Sequence, residues 1–249
     1  MAAIASQVVL HPVVSQSLKM GHTTVGRDKT YRAIQYFARF YAWYLLSRGN
    51  KDEAARWSSL KSHLGTARKL MRLGKPMEHL QSAAKAALAP GTPVEQITTI
   101  GRQLGYFGYL TFDSFVWAHS IKFLKLKPET AAKVGKLANR FWAIGILFSL
   151  AHAALKNARL VGQIKALKAT KPWGEKDLGE EAEREAKLSA LYNSRDALRH
   201  QLYIDMLDIW LPVSNLKYVN LNDGVLGILG VISSVLGWQK QWASVNGRK

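Results

Sequence analysis

Leu60–Pro76 reads LKSHLGTARKLMRLGKP: seventeen residues with five Lys or Arg and no acid. On a helix starting at Arg56, the side chains of Trp57, Leu60, Leu64, Ala67 and Met71 recur every three or four residues and share one face. Lys61, Arg68, Arg72 and Lys75 run along one edge of that face, with Lys69 further round. An apolar face with a cationic border suits a helix lying in a bilayer interface, oily side in the acyl boundary and cations at the headgroup phosphates. Each Lys or Arg near an anionic leaflet contributes about 1 kcal/mol. Trp57, Leu60, Leu64, Ala67 and Met71 are therefore candidate membrane-inserting residues. Lys61, Arg68, Lys69, Arg72 and Lys75 are candidate ligands for anionic lipid. The same pattern also fits a bundle helix whose stripe faces a protein core and whose cations are solvated.

The whole chain shares this basic character. Its 249 residues carry 35 Lys and Arg against 17 Asp and Glu, a formal charge of +18. The excess is not a tail, because residues 1–89 hold fourteen basic and four acidic residues and the remainder 21 and 13. So broad a positive field attracts polyanions, either nucleic acid or anionic membrane. With 48% hydrophobic residues and eight Trp, the chain is too apolar for a disordered basic protein. Nucleic acid is not the expected partner: no zinc-finger, RNA-recognition or basic-zipper signature is present, and the cations are spread over many segments.

Catalytic chemistry is not expected either. The absence of cysteine excludes disulfides, thiolate nucleophiles and Cys-ligated zinc. The seven His include no His-Glu-x-x-His and no close pair, so neither metal nor cofactor is expected. Gly101–Gly108, GRQLGYFG, lacks the preceding strand of a dinucleotide loop. Asp113 sits in an oily segment and needs a cationic partner, either Arg102, Lys122 or a base from another helix.

Helical periodicity runs through nearly every long segment, so the expected fold is all-α: a multi-helix, membrane-associated bundle with amphipathic interfacial helices and one or two short embedded helices. The expected helices cover Arg27 to Arg48, a segment holding Leu60–Pro76, Pro76 to Leu88, Val94 to about Leu126, Thr130 to about Lys168, one ended by Leu211-Pro212, and Gly224 to Trp238. Composition divides the chain into basic amphipathic helices (1–93), central apolar helices (94–169), a polar loop (170–181) and a C-terminal part with an amphipathic and a Gly-rich helix (182–249).

Two uncharged segments raise the question of membrane spans: Phe141–Leu155, FWAIGILFSLAHAAL, and Gly224–Trp238, GVLGILGVISSVLGW. Fifteen residues make about 22 Å of helix, whereas a bilayer core of about 30 Å takes roughly 20. Each is a short span, a deep interfacial helix or the core of a soluble bundle. In the second, Gly224, Gly227, Gly230, Ser234 and Gly237 share one face, a candidate surface for close helix packing.

Three blocks carry a family resemblance: Gly26-Arg27-Asp28-Lys29 leading into Gln35-Tyr36-Phe37-Ala38-Arg39-Phe40; Arg68 to Pro76; and Leu104-Gly105-Tyr106 through Asp113 to Trp117. In order, spacing and total length the chain resembles the fungal-type peroxin eleven family of peroxisomal membrane proliferation factors. The resemblance implies a non-enzymatic helical protein of the peroxisomal membrane that binds anionic bilayers through a basic amphipathic helix near the second block. It implies elongation and remodelling of the membrane before fission, and proliferation of the organelle. The implied partners are anionic phospholipid, further copies of the chain, a dynamin-like GTPase with its tail-anchored receptor, and the import receptor peroxin nineteen. The alternative is a membrane channel for small metabolites, with Asp113, Arg102 and His152 along its path.

Overall fold

The computed structural model describes residues 7–169 and 178–247, so most of the expected polar loop lies outside the described residues. Among those residues there are helices and turns and no strand. In chain order the helices are α1 (Pro12–His22), α2 (Thr24–Ser47), α3 (Lys51–Leu70), α4 (Lys75–Leu88), α5 (Pro93–Ser120), α6 (Pro128–Ala169), α7 (Leu178–Asp208), the short α8 (Trp210–Asn215) and α9 (Asp223–Asn246). The all-α class is as expected, whereas several boundaries differ for local reasons.

Helix α2 begins three residues before Arg27 because Thr23 caps it, its hydroxyl accepting the Gly26 N–H at 3.0 Å. Asn50 does the same for α3 through the Glu53 N–H, and Asp52 and Glu53 complement the helix dipole there. Between α3 and α4, Gly74 adopts φ +84, which turns the chain ahead of Pro76 in the first turn of α4. Helix α5 stops at Ser120, short of Leu126, with Lys122 left-handed at φ +64 just beyond. Pro212 does not close a helix as expected. It lies in the first turn of α8, where its missing N–H leaves no bond unmade.

Two antiparallel pairs make the frame. In the first, α5 lies so close to α6 that a Cβ added at Gly105 would sit 2.5 Å from the Gly145 Cα. In the second, the glycine face of α9 lies on α2, with Trp43 over Gly224, Phe40 over Gly227, Tyr36 over Gly230 and the Lys29 stem beside Gly237. Ser234 is fully buried in that contact and donates to the Gly230 carbonyl. Small residues on one face let the backbones approach closely. Helix α3 packs on α2, α4 on α5, and α7 on both α6 and α9. The buried apolar cluster is small, centred on Tyr36, Leu211 and Leu226.

Charged side chains occur inside the bundle beside the apolar ones, and large apolar side chains occur on its outside. Arg32, Arg68, Asp113, Asp205 and Asp208 are buried, while Ile144 and Leu147 of α6 and Val225, Ile228, Ile232 and Val235 of α9 are exposed. Among the described residues α6 alone is long and apolar enough to cross a membrane, and 28% of its apolar window is buried within the protein. The rest of that window is divided between half-buried and exposed positions, with Ile144, Leu147 and Leu155 exposed.

Candidate functional site

The inward polar faces of α2, α3, α5 and α7, with the first half of α6, enclose a cleft of about 740 Å³. The i, i+3/i+4 spacing of Asp28, Arg32, Gln35 and Arg39 puts one polar stripe of α2 into it, and Arg102, Tyr106, Tyr109 and Asp113 do the same from α5. Nine Lys and Arg side chains line the cleft against four carboxylates, so it is strongly cationic.

Most of these charges are held by partners. Arg68 donates from Nε to Asp28 at 3.0 Å and from Nη1 to the Gln35 amide oxygen at 2.7 Å. Arg72 donates to Asp113 at 2.8 Å and to the Tyr109 hydroxyl at 3.0 Å, and Lys69 donates to the other oxygen of Asp113. Arg32 meets Asp208 at 2.6 Å with both side chains buried. Arg39 reaches Asp223 in the first turn of α9 at 2.7 Å. Asp205 accepts from Ser149 at 2.6 Å and Gln201 at 3.0 Å; burial pushes its carboxyl up, outweighing those two bonds. Burial, reinforced by neighbouring Arg32, pushes the Lys29 ammonium down to about 8 despite Asp28 and Asp208.

Of the five candidate lipid ligands, three are therefore turned into the protein: Arg68, Lys69 and Arg72 point at Asp28 and Asp113 rather than along a lipid-facing border. Their rotation follows from the partners, since a buried carboxylate such as Asp113 is stable only beside a cation. Lys61 stays near the rim, 3.8 Å from Asp223, and Lys75 lies 3.7 Å from Glu78. Of the candidate inserting residues, Trp57 packs edge-on against Phe37 and Tyr41 of α2. Leu64, Ala67 and Met71 are half-buried, and Leu60 is exposed. Arg102 and Asp113 line the cleft, but His152 lies apart from it beside Thr98 and Thr99.

An outward apolar stripe falls on α4 instead. Met77, Leu80 and Leu88 are exposed, Leu88 by 87%, and their spacing puts them on one side, with Leu73 exposed in the turn before the helix. The opposite side is clamped to α5: Ala83 is buried, and the His79 ring bonds the Gln103 amide oxygen at 2.7 Å and stacks on Tyr106. The sequence signal was present in the spacing of Leu73, Met77, Leu80, Ala84 and Leu88. A second missed feature is the Gly101, Gly105 and Gly108 face, which has the same small-residue spacing as α9.

Comparison with known proteins places this architecture. The sequence profile of the Peroxisomal biogenesis factor 11 (PEX11) family matches residues 14–242. The chain is similar to the peroxisomal membrane protein PMP27 of Saccharomyces cerevisiae, with 29% identity over 96% of this chain and 98% of the relative. It is similar also to peroxisomal membrane protein PMP30A of Candida boidinii, at 28% over 96% and 98%, and to peroxisomal membrane protein 11A of Mus musculus, at 25% over 88% and 93%. No solved structure matches. With a profile match over most of its length, the chain belongs to the peroxisomal biogenesis factor 11 family, whose place is the peroxisomal membrane.

Proposed function

We propose that this protein is a non-enzymatic remodeller of the peroxisomal membrane, which it elongates ahead of proliferation and fission by seating the α3–α4 elbow in an anionic bilayer. The observation that supports this reading is the outward stripe of Met77, Leu80 and Leu88 on α4, with Leu73 exposed in the turn before it, on a helix whose opposite side packs on α5 through His79 and the buried Ala83. Each large apolar side chain moved from water into the acyl boundary contributes roughly 1.5–3 kcal/mol, more than a surface cation adds. Leu60, Leu64 and Met71 extend the inserting surface along α3. Lys61, Lys75 and the exposed Lys85 supply the headgroup attraction, because Arg68, Lys69 and Arg72 are engaged inside. Self-association would concentrate the wedges, and the dynamin-like GTPase, its tail-anchored receptor and peroxin nineteen belong to this reading as partners.

The test is reconstitution of the full chain into anionic liposomes at equal protein density, with tubules counted by electron microscopy. Met77→Glu with Leu80→Glu is expected to abolish tubulation, since carboxylates enter the acyl boundary at high cost. It should leave the melting temperature close to wild type, as surface substitutions usually stay within about 0.5 kcal/mol. Normal tubulation by the double variant would overturn insertion by this face. If tubules persist but crosslinking between copies is lost, the stripe is a contact between copies. A metabolite channel draws on the cleft, to which Arg102 and Asp113 contribute; solute flux through the same liposomes without any change of shape would favour it.

A further inference from the structure

Within the cleft two cations stand out from the ion-pair pattern. Among the described residues, neither Lys29 nor Arg102 has a carboxylate within ion-pair distance, although both side chains line the cleft. Arg102 lies over the Tyr106 ring at 5.8 Å, and its Nε is buried without a hydrogen-bond partner. The Nε of Arg72 is likewise buried and unpartnered. The Lys29 stem is held along α9 in the space that Gly237 leaves open. Interior charges of this kind are costly, and a protein that keeps them in a space of this size has room for the counter-charge there. The volume is within the range of small-molecule pockets.

We propose that this cleft binds a phosphate-bearing anion, held by Lys29 and Arg102 with the unpartnered Nε–H of Arg72. The arrangement favours a multiply charged group over a single carboxylate. Nine cations face four carboxylates, and three of those, Asp28, Asp113 and Asp208, already hold ion pairs. The fourth, Asp205, is occupied by Ser149 and Gln201. Guanidinium forks recognise phosphate oxygens bidentately, and an ammonium adds a compact point charge. Rings also border the space, with Tyr109 stacked on Trp142 at 5.0 Å and His79 on Tyr106 at 5.4 Å, so there is an apolar wall for the body that carries the phosphate. The phosphate belongs either to a soluble organic phosphate or to a lipid headgroup entering from the bilayer. This inference stands apart from membrane remodelling, which rests on α4.

The experiment uses the full chain in nonionic detergent, with pyrophosphate as the soluble probe and phosphatidylcholine nanodiscs with or without phosphatidic acid as the lipid probe. Calorimetry should give saturable one-to-one binding of pyrophosphate, and the melting temperature should rise with it. Acetate at the same ionic strength should do neither. Lys29→Met and Arg102→Met should each weaken binding roughly tenfold or more, the loss of one charge-assisted hydrogen bond. Neither should lower the melting temperature without ligand, because no carboxylate loses its partner. Lys29→Arg should retain binding, which separates loss of charge from misfolding. Stabilisation by phosphatidic acid without any response to pyrophosphate assigns the site to a lipid headgroup; the reverse assigns it to a soluble phosphate. Equal affinity for acetate, unchanged binding in both Met variants, or no response to either probe would overturn the proposal.

Discussion

Replacing Asp113 by Ala is expected to give the largest loss of stability among single substitutions in the cleft, about 3–5 kcal/mol for an interior ion pair broken on one side. Asp113 is 6% exposed and joins α3 to α5 by accepting from both Lys69 and Arg72. Without it two cations from the end of α3 and the turn after it are left side by side with no carboxylate, close to Arg68. The more exposed Lys69 can swing toward water, so most of the cost falls on Arg72. Removing the cations as well, in Asp113→Ala with Lys69→Met and Arg72→Met, should recover much of the loss, since apolar replacement of a whole buried pair is often neutral. Thermal unfolding followed by Trp fluorescence in detergent measures both variants. A wild-type melting temperature for Asp113→Ala would show that the ion pairs do not hold α3 in place.

Gly105→Leu is expected to separate α5 from α6. Its Cβ would meet the Gly145 Cα at 2.5 Å and the Gly145 nitrogen at 2.6 Å, and backbone atoms have no rotamer into which to retreat. Overpacking usually costs about 1–3 kcal/mol and more where nothing yields, and here the helix axes themselves must move. By contrast, a Cβ at Gly237 meets the flexible Lys29 stem at 3.3 Å, and one at Gly135 meets nothing within 4 Å. Gly135→Ala should therefore stabilise α6 by about 0.4–1 kcal/mol, chiefly through the unfolded chain. Melting temperatures ordered Gly135→Ala, wild type, Gly105→Leu check the series. A wild-type value for Gly105→Leu would mean that α5 and α6 do not approach closely.

The apolar periodicity of each segment determined by itself that this chain is all helical, because a face repeating every three or four residues is a local property. It also determined the small-residue face of α9, whose five members lie within fourteen residues. The matching face of Gly101, Gly105 and Gly108 was equally local. Only the crossing of α6 at Gly145 reveals it as a contact, since nothing in the spacing says which helix it meets.

Which way the basic stretch turns was decided by tertiary structure. Arg68, Lys69 and Arg72 border an apolar face on any helical wheel, but Asp28 lies forty residues before Arg68 and Asp113 forty-four after Lys69. Interior carboxylates dictate the rotation of α3, because a charge away from water must be paired, and that requirement outweighs a headgroup contact worth about 1 kcal/mol per cation. The oily surface consequently shifts to Leu73, just before the turn at Gly74, and to Met77, Leu80 and Leu88 of α4 beyond it. Composition set the net charge of the chain; the packing of α2, α3, α5 and α7 gathered nine of its cations into one cleft, where their low-dielectric surroundings make each unpaired one matter.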